Sequence, residues 1–192
     1  MKKLFNTQIV NFDTNKIKLK ELIYEIFSEQ NIQKIIEKNS NEKIYKYLYS
    51  AYNEIKFQKI YRLLLKDISN FLKLDNFFFQ RIPSFRIHRK DNISVYYHND
   101  IWYGHGKDVI NVWIPITKTN EHNTIWVVNE KDSIRINNDF IKRKLGINDI
   151  NELAKNSGSP QIVDYGDILF FKTSWLHGSE KNKSNKHRLS FD

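Results

Sequence analysis

Between residues 16 and 39 apolar side chains recur at Leu19, Leu22, Ile23, Ile26 and Phe27, then at Ile32, Ile35 and Ile36, which is the spacing of a helix with one buried stripe. The same period runs through residues 41 to 74, from Ile44, Leu48 and Ala51 to Leu64, Ile68 and Leu72. Ser40, followed by Lys43 where a capping box would place Glu or Gln, supplies half of a helix-start signal. Two or three helices are predicted before residue 75. The tyrosines at 45, 47, 49, 52 and 61 fall in register with them and read as helix-packing residues.

After Asp75 the period shortens to two. Strands are predicted in 77–90, with Pro83 marking a bulge or an edge, and in 94–100, 109–117, 124–129, 161–173 and the terminal HRLSFD. A polar segment, 130–160, interrupts them and carries one or two short helices. Short strands at this spacing indicate a sandwich or barrel. Alternation puts Ile110, Val112, Ile114 and Ile116 on a plain core face and Val109, Asn111, Trp113 and Pro115 on the other. Tyr96, His98 and Asp100 share a face in the same way, as do Arg188, Ser190 and Asp192. Polar groups collected on one side of three strands need partners or a cavity to line.

Composition sharpens this picture without changing it. In 192 residues, 40% are hydrophobic and 14% aromatic, which suits one globular domain with a full core. Cysteine is absent, so disulfides, thiolate metal sites and cysteine nucleophiles are excluded. The net charge of +9 comes from lysines spread over the helical half and the 181–187 loop, a solvated surface rather than a nucleic-acid stripe. No apolar run approaches a membrane span, and the N-terminus has no secretory pattern, so a cytoplasmic protein is expected, with neither nucleic acid nor membrane as partner.

The chemistry gathers around YYHND, residues 96–100. His98 and Asp100, one strand period apart, would supply two members of a 2-His-1-carboxylate facial triad, the arrangement that leaves positions open on a non-haem Fe(II). A single H-x-D among six histidines counts for little until a second histidine is found. His177 in WLHGS is placed to be that one, following a turn, a hydrophobic strand and a short loop. His88, His105, His122 and His187 read as satisfied or surface histidines. Arg188, eleven residues on, shares its strand face with Ser190. A guanidinium buried there needs a carboxylate, and the distal carboxylate of 2-oxoglutarate is a natural bidentate partner.

H-x-D, a distal His and an Arg eleven residues later with R-x-S resemble the phytanoyl-CoA-hydroxylase-like superfamily of 2-oxoglutarate oxygenases. The runs FQRIPSFRIH, YYHNDIWYGHGKDVINVWIPIT, NTIWVV, LHGS and RLSFD are similar to the streptomycin-biosynthesis-type members of bacterial natural-product and surface-glycan clusters. The resemblance covers roughly residues 78–129 and 161–192. It implies a mainly β fold with N-terminal helices, a double-stranded β-helix of the jelly-roll, cupin-like kind, filling residues 76–192 around the 130–160 insert, with residues 1–75 as helical support of one single domain.

The resemblance further implies that His98, Asp100 and His177 hold Fe(II). Arg188 and Ser190 bind the far carboxylate of 2-oxoglutarate, and Ser179 and Trp113 touch this cosubstrate, with Arg86 or Gln80 as a further polar contact. O2 is the third reactant. A carboxylate at Asp100 fills the position that a halogenase, with Gly or Ala, leaves to chloride, so hydroxylation or a related oxidation is expected. Relatives usually continue past Asp192, so either a short last strand or a truncated sequence is expected. Tyr96, Trp102, Tyr103 and Asn111 are expected to meet a polar, sugar-like small molecule, with the insert as a lid. The alternatives are a metal-binding cupin-type isomerase, which has no need of Arg188, and a non-catalytic ligand-binding barrel.

Overall fold

The computed structural model describes residues 6–192. Among the described residues four helices precede all but one of the strands: α1 (Leu19–Phe27), α2 (Ile32–Lys38), α3 (Asn41–Tyr52) and α4 (Ile55–Leu72). Asn31 caps α2 by accepting from Lys34 N, and Ser40 caps α3 by accepting from Lys43 N. The left-handed Ser28 and Lys73 end α1 and α4. The periodicity was thus divided more finely than predicted, by caps rather than by any loss of the apolar stripe.

Eight strands follow the same backbone pairing rule, all antiparallel. β1 (Gln8–Asn11), β2 (Phe85–His88), β3 (Ile110–Pro115), β6 (Asp167–Lys172) and β8 (Arg188–Phe191) form a sheet ordered β1-β6-β3-β8-β2. β4 (Ile125–Val128), β5 (Gly158–Gln161) and β7 (His177–Gly178) form a second, ordered β5-β4-β7. Between β4 and β5 lie α5 (Glu130–Arg143) and α6 (Ile147–Ser157), where one or two short helices were expected. Helical residues outnumber strand residues, which corrects the expectation of a mainly β chain. The strand β1 was not predicted at all. Four residues at the sheet edge carry too short an alternation to be read.

Cross-strand register sorts the large sheet into two faces. Ile110, Val112 and Ile114 with Ile168, Phe170, Leu189, Phe191, Phe85 and Ile87 turn towards α1–α4 and join one core with Leu48, Leu64 and Ile44. The other face pairs Asn111 with Phe171, Trp113 with Leu169, Pro115 with Ser190, Arg86 with Ser190 and His88 with Arg188. Its apolar part closes on β4: Trp113, Leu169, Phe171 and Trp175 cluster with Ile125, Val127 and Val163. The inward face therefore carries both a small core and the polar groups that the sequence pattern had singled out.

α5 and α6 are packed behind the second sheet. Ile136, Ile150 and Ala154 form a cluster with Val128, Leu176 and Tyr97, and Ser133 Oγ donates to Val128 O while accepting from Leu176 N. This buried apolar surface makes the segment a buttress of the second sheet. Among the described residues, no helix is long and apolar enough to cross a membrane.

Candidate active site

The predicted strand over 94–100 is not formed. His98 instead makes an isolated antiparallel bridge with His177: His98 N donates to His177 O at 3.0 Å and His177 N to His98 O at 2.8 Å. Asp100 opens a 3-10 turn, Asp100–Tyr103, capped by Asn99 and tied by Asp100 N donating to Thr173 O at 2.9 Å. The two histidines thus meet through backbone pairing, and the carboxylate is brought round to them by the turn.

The outcome is compact. One ligating atom from each of His98, Asp100 and His177 lies within 4.8 Å of the others. Asp100 Oδ1 is 3.6 Å from His98 Nε2, and Oδ2 is 3.6 Å from His177 Nε2. Each imidazole is aimed the same way. His98 Nδ1 lies 2.8 Å from Tyr96 O and His177 Nδ1 lies 2.9 Å from Trp175 O, so each ring donates from Nδ1 to the carbonyl two residues back and turns the Nε2 lone pair inwards. Burial, reinforced by His98, lowers the His177 pKa to about 4, which keeps the ring neutral. Burial would raise the Asp100 pKa, but the adjacent imidazoles of His98 and His177 and the hydrogen bond from the Asn111 amide outweigh it and hold the carboxyl at about 2. Two imidazole nitrogens turned inwards and an ionised carboxylate with room between them are a donor set that fits a divalent iron.

Further along the inward face, Arg188 is buried and its pKa is pulled to about 10, first by that burial. Its Nη1 donates to Asn123 O at 3.1 Å, and its Cζ lies 5.3 Å from the Trp113 ring centre. Arg188 Nε and Ser190 Oγ, both buried, have no hydrogen-bond partner, and neither do Asn123 Nδ2 and Trp175 Nε1. A buried guanidinium beside an unsatisfied hydroxyl on the same strand face fits an anionic ligand such as a carboxylate. Among the described residues no carboxylate hydrogen-bonds to Arg188, although Asp192 acts on it electrostatically. The nearest on the face is Asp192, whose Oδ2 stands 3.9 Å from Arg86 Nη2 at the half-exposed sheet edge.

Other expected contacts fall differently. Ser179 Oγ accepts from Ser94 N and Val95 N at 2.9 and 3.0 Å and donates to Val95 O, so its hydroxyl ties down a loop instead of turning towards Arg188. Trp102 packs on Phe140 of α5, with ring centres 5.3 Å apart. Asn111 donates to Asp100 Oδ2 rather than facing open space. Gln80 donates to Ser84 Oγ in an exposed turn. Tyr103 lies beside His98, ring centres 5.5 Å apart, and is 70% exposed, while Tyr96 is exposed and contributes its carbonyl to His98. Sequence reasoning missed Asn123, whose carbonyl meets Arg188, because a backbone acceptor leaves no residue-type signature. The four remaining histidines are as expected in kind: His88 is buried between the carbonyls of Asn92 and Asn123, and the ring of His187 accepts from Lys90 N.

Comparison with known proteins agrees with this chemistry. The chain is similar to the streptomycin biosynthesis protein StrG of Streptomyces griseus, 23% identical over 194 residues that take in 95% of this chain and 81% of StrG. Among solved structures it is similar to EvdMO1, at 16% identity and a TM-score of 0.40 over 57% of this chain and 26% of that one. Its likeness to AviO1 from Streptomyces viridochromogenes Tue57 has the same identity and TM-score, over 57% of this chain and 48% of AviO1. The chain therefore spans less than half the length of either solved structure. A family model described as phytanoyl-CoA dioxygenase (PhyH) matches residues 19–190, a span that takes in α1–α4, the His98, Asp100 and His177 cluster, Arg188 and Ser190. The chain belongs to the phytanoyl-CoA dioxygenase family and is a 2-oxoglutarate-dependent oxygenase that uses Fe(II).

Proposed function

We propose that this chain, as one oxygenase domain built on a double-stranded β-helix, hydroxylates a polar small molecule in a bacterial-type biosynthetic route, with His98, Asp100 and His177 holding Fe(II). Eight antiparallel strands in two facing sheets support the jelly-roll reading. The observation that carries the function is the three-ligand cluster together with a buried Arg188 Nε and Ser190 Oγ that lack hydrogen-bond partners. When bound, Fe(II) and 2-oxoglutarate supply the oxidising chemistry, coupling O2 to oxidation of the substrate, succinate and CO2 being the other products. The protein's own share is placement. Arg188 and Ser190 fix the far carboxylate of 2-oxoglutarate, the Trp113 ring flanks the guanidinium, and Phe171, 4.8 Å from the His177 ring, helps keep water from that side. Tyr103 and Tyr96 stand at the exposed rim, where a substrate would enter. The similarity to a streptomycin biosynthesis protein supports a biosynthetic role. The proposal includes a sugar-like substrate and a cytoplasmic setting, with neither nucleic acid nor membrane as partner.

The test is succinate release from 2-oxoglutarate under Fe(II) and ascorbate, with calorimetric binding alongside. Arg188→Ala is expected to weaken 2-oxoglutarate binding by on the order of 2–5 kcal/mol, because a desolvated carboxylate loses its ion partner, while metal binding survives. Unchanged 2-oxoglutarate affinity in that variant sinks the assignment of the cosubstrate site. Loss of metal binding instead would show that Arg188 supports the fold of the iron site.

A further inference from the structure

The Asn111 side chain reaches the iron site from the middle of the large sheet. β3 is hydrogen-bonded on both sides, to β6 and to β8, so Asn111 is placed by one of the most constrained strands in the molecule. Asp100, by contrast, stands at the start of a 3-10 turn, and its carboxylate is free to rotate about its own side-chain bonds unless something stops it. Asn111 Nδ2 stops it, donating to Asp100 Oδ2 at 2.5 Å. Among the described residues no group outside the three-ligand cluster gives that carboxylate another side-chain hydrogen bond. Satisfying a buried amide does not explain the contact, since Asn111 is half-buried and water could serve it.

Taking the Fe(II) and 2-oxoglutarate reading as given, we propose that Asn111 is a positioning residue that engages Asp100 Oδ2 so that the carboxylate offers Oδ1 alone to the metal. The physical reason is coordination count. A carboxylate rotated to chelate through both oxygens takes a second position on the ion, and an oxygenase must leave two positions for the keto acid and one for O2. A donor fixed on Oδ2 draws electron density from that oxygen and sets the carboxylate plane, so one protein ligand occupies one position. His98 and His177 are also held on the side away from the cluster, each donating from Nδ1 to the carbonyl two residues back in its own segment, Tyr96 and Trp175.

The experiment uses Asn111→Val, which keeps a strand-favouring side chain of similar size, and the isosteric Asn111→Asp, which turns the donor into an acceptor. Circular dichroism checks that both fold. Co(II) affinity is measured by calorimetry, and 2-oxoglutarate is titrated anaerobically into the Fe(II) protein through the charge-transfer absorption of the chelate. In Asn111→Val, Co(II) affinity is expected to change by no more than about tenfold, whereas 2-oxoglutarate affinity falls by about 10–100-fold and the absorption band shifts or weakens. Asn111→Asp, with an extra negative charge beside the ion, is expected to bind Co(II) at least as tightly as wild type and 2-oxoglutarate more weakly. Wild-type 2-oxoglutarate affinity and an unshifted band in either folded variant overturn the proposal. Failure of the wild-type protein to form the absorbing complex would instead overturn the cosubstrate reading on which it rests, and the two failures are read from different samples.

Discussion

His88 shows how much a single buried side chain is set by its neighbours. Its ring is fully enclosed, between Asn92 O at 2.8 Å and Asn123 O at 3.2 Å, on the strand paired with Arg188. Burial, and after it the positive charge of Arg188, lowers its pKa from 6.5 to about 4, whereas in the unfolded chain it titrates near 6.5. The unfolded state therefore binds more protons between these two values. The contribution of the neutral ring to stability is fully present above about pH 6.5 and is lost as pH falls towards 4, on the order of 3 kcal/mol in all. His177 adds a loss in the same direction, so the test compares metal-free wild type with His88→Gln by urea unfolding at pH 7.5 and 5. The glutamine variant should lose distinctly less stability on acidification, and an identical drop in both proteins would assign the whole effect to other groups. At this scale the sequence was a good guide to which residues carry charge or ligating atoms, and a poor one to their partners. His98, Asp100 and His177 could be picked out by residue type and order along the chain, and they do come together, although through a single bridge and a 3-10 turn rather than the strand their spacing suggested. Asn111, Ser179 and Trp102 were misread because an amide, a hydroxyl or an indole on the right face still chooses between a ligand, a backbone segment and a helix, and that choice is made by tertiary packing.

At the scale of elements, the His98, Asp100 and His177 cluster depends on a very short strand. β7 has only His177 and Gly178, yet it pairs with β4 on one side and bridges to His98 on the other. Gly178 is what permits the approach. A Cβ there would stand 2.9 Å from the backbone N and Cα of Tyr97 and 3.1 Å from the carbonyl carbon of Tyr96, contacts that no side-chain rotation can relieve. Gly178→Ala is thus expected to push the Tyr96–His98 segment off β7 and separate the two imidazoles. Metal affinity should fall by at least about tenfold, measured with Co(II), while far-ultraviolet circular dichroism stays close to wild type because α1–α4 are packed on the opposite face of the large sheet. Unchanged Co(II) affinity would show that the bridge does not set the ligand geometry. The same shortness explains what was hard to read. Helices of many turns repeat their apolar signal and were found, down to the half cap at Ser40, whereas 94–100 alternates like a strand but has only a two-residue partner and forms a single bridge.

On the scale of the whole molecule, the large sheet divides the protein into a structural side and a chemical side. One face is sealed by α1–α4, and the other, with β4, β5 and β7, holds the small core, the ligand cluster and the arginine anchor. α5 and α6 brace the second sheet from outside, linking to the ligand segment through Asn151 Oδ1, which accepts from Tyr97 N, and Asn137 Oδ1, which accepts from Asn99 Nδ2. Ligands bound between the sheets join elements that otherwise meet mainly through one small cluster, so global stability should report on occupancy. A ligand present at about 100 times its Kd stabilises the native state by about 2.7 kcal/mol, which for a chain of this size raises Tm by about 5–10 °C. Co(II) alone should therefore raise the melting temperature of the metal-free protein, and 2-oxoglutarate should add a further rise only once Co(II) is present, because chelation and the Arg188 anchor act together on one molecule. In Arg188→Ala the first rise should persist and the second shrink. The order of addition is the decisive part: 2-oxoglutarate that stabilises the metal-free protein as much as the Co(II)-loaded one would mean that the arginine anchor binds the keto acid independently of the ion, and the spatial coupling between the two ends of the inward face would have to be abandoned.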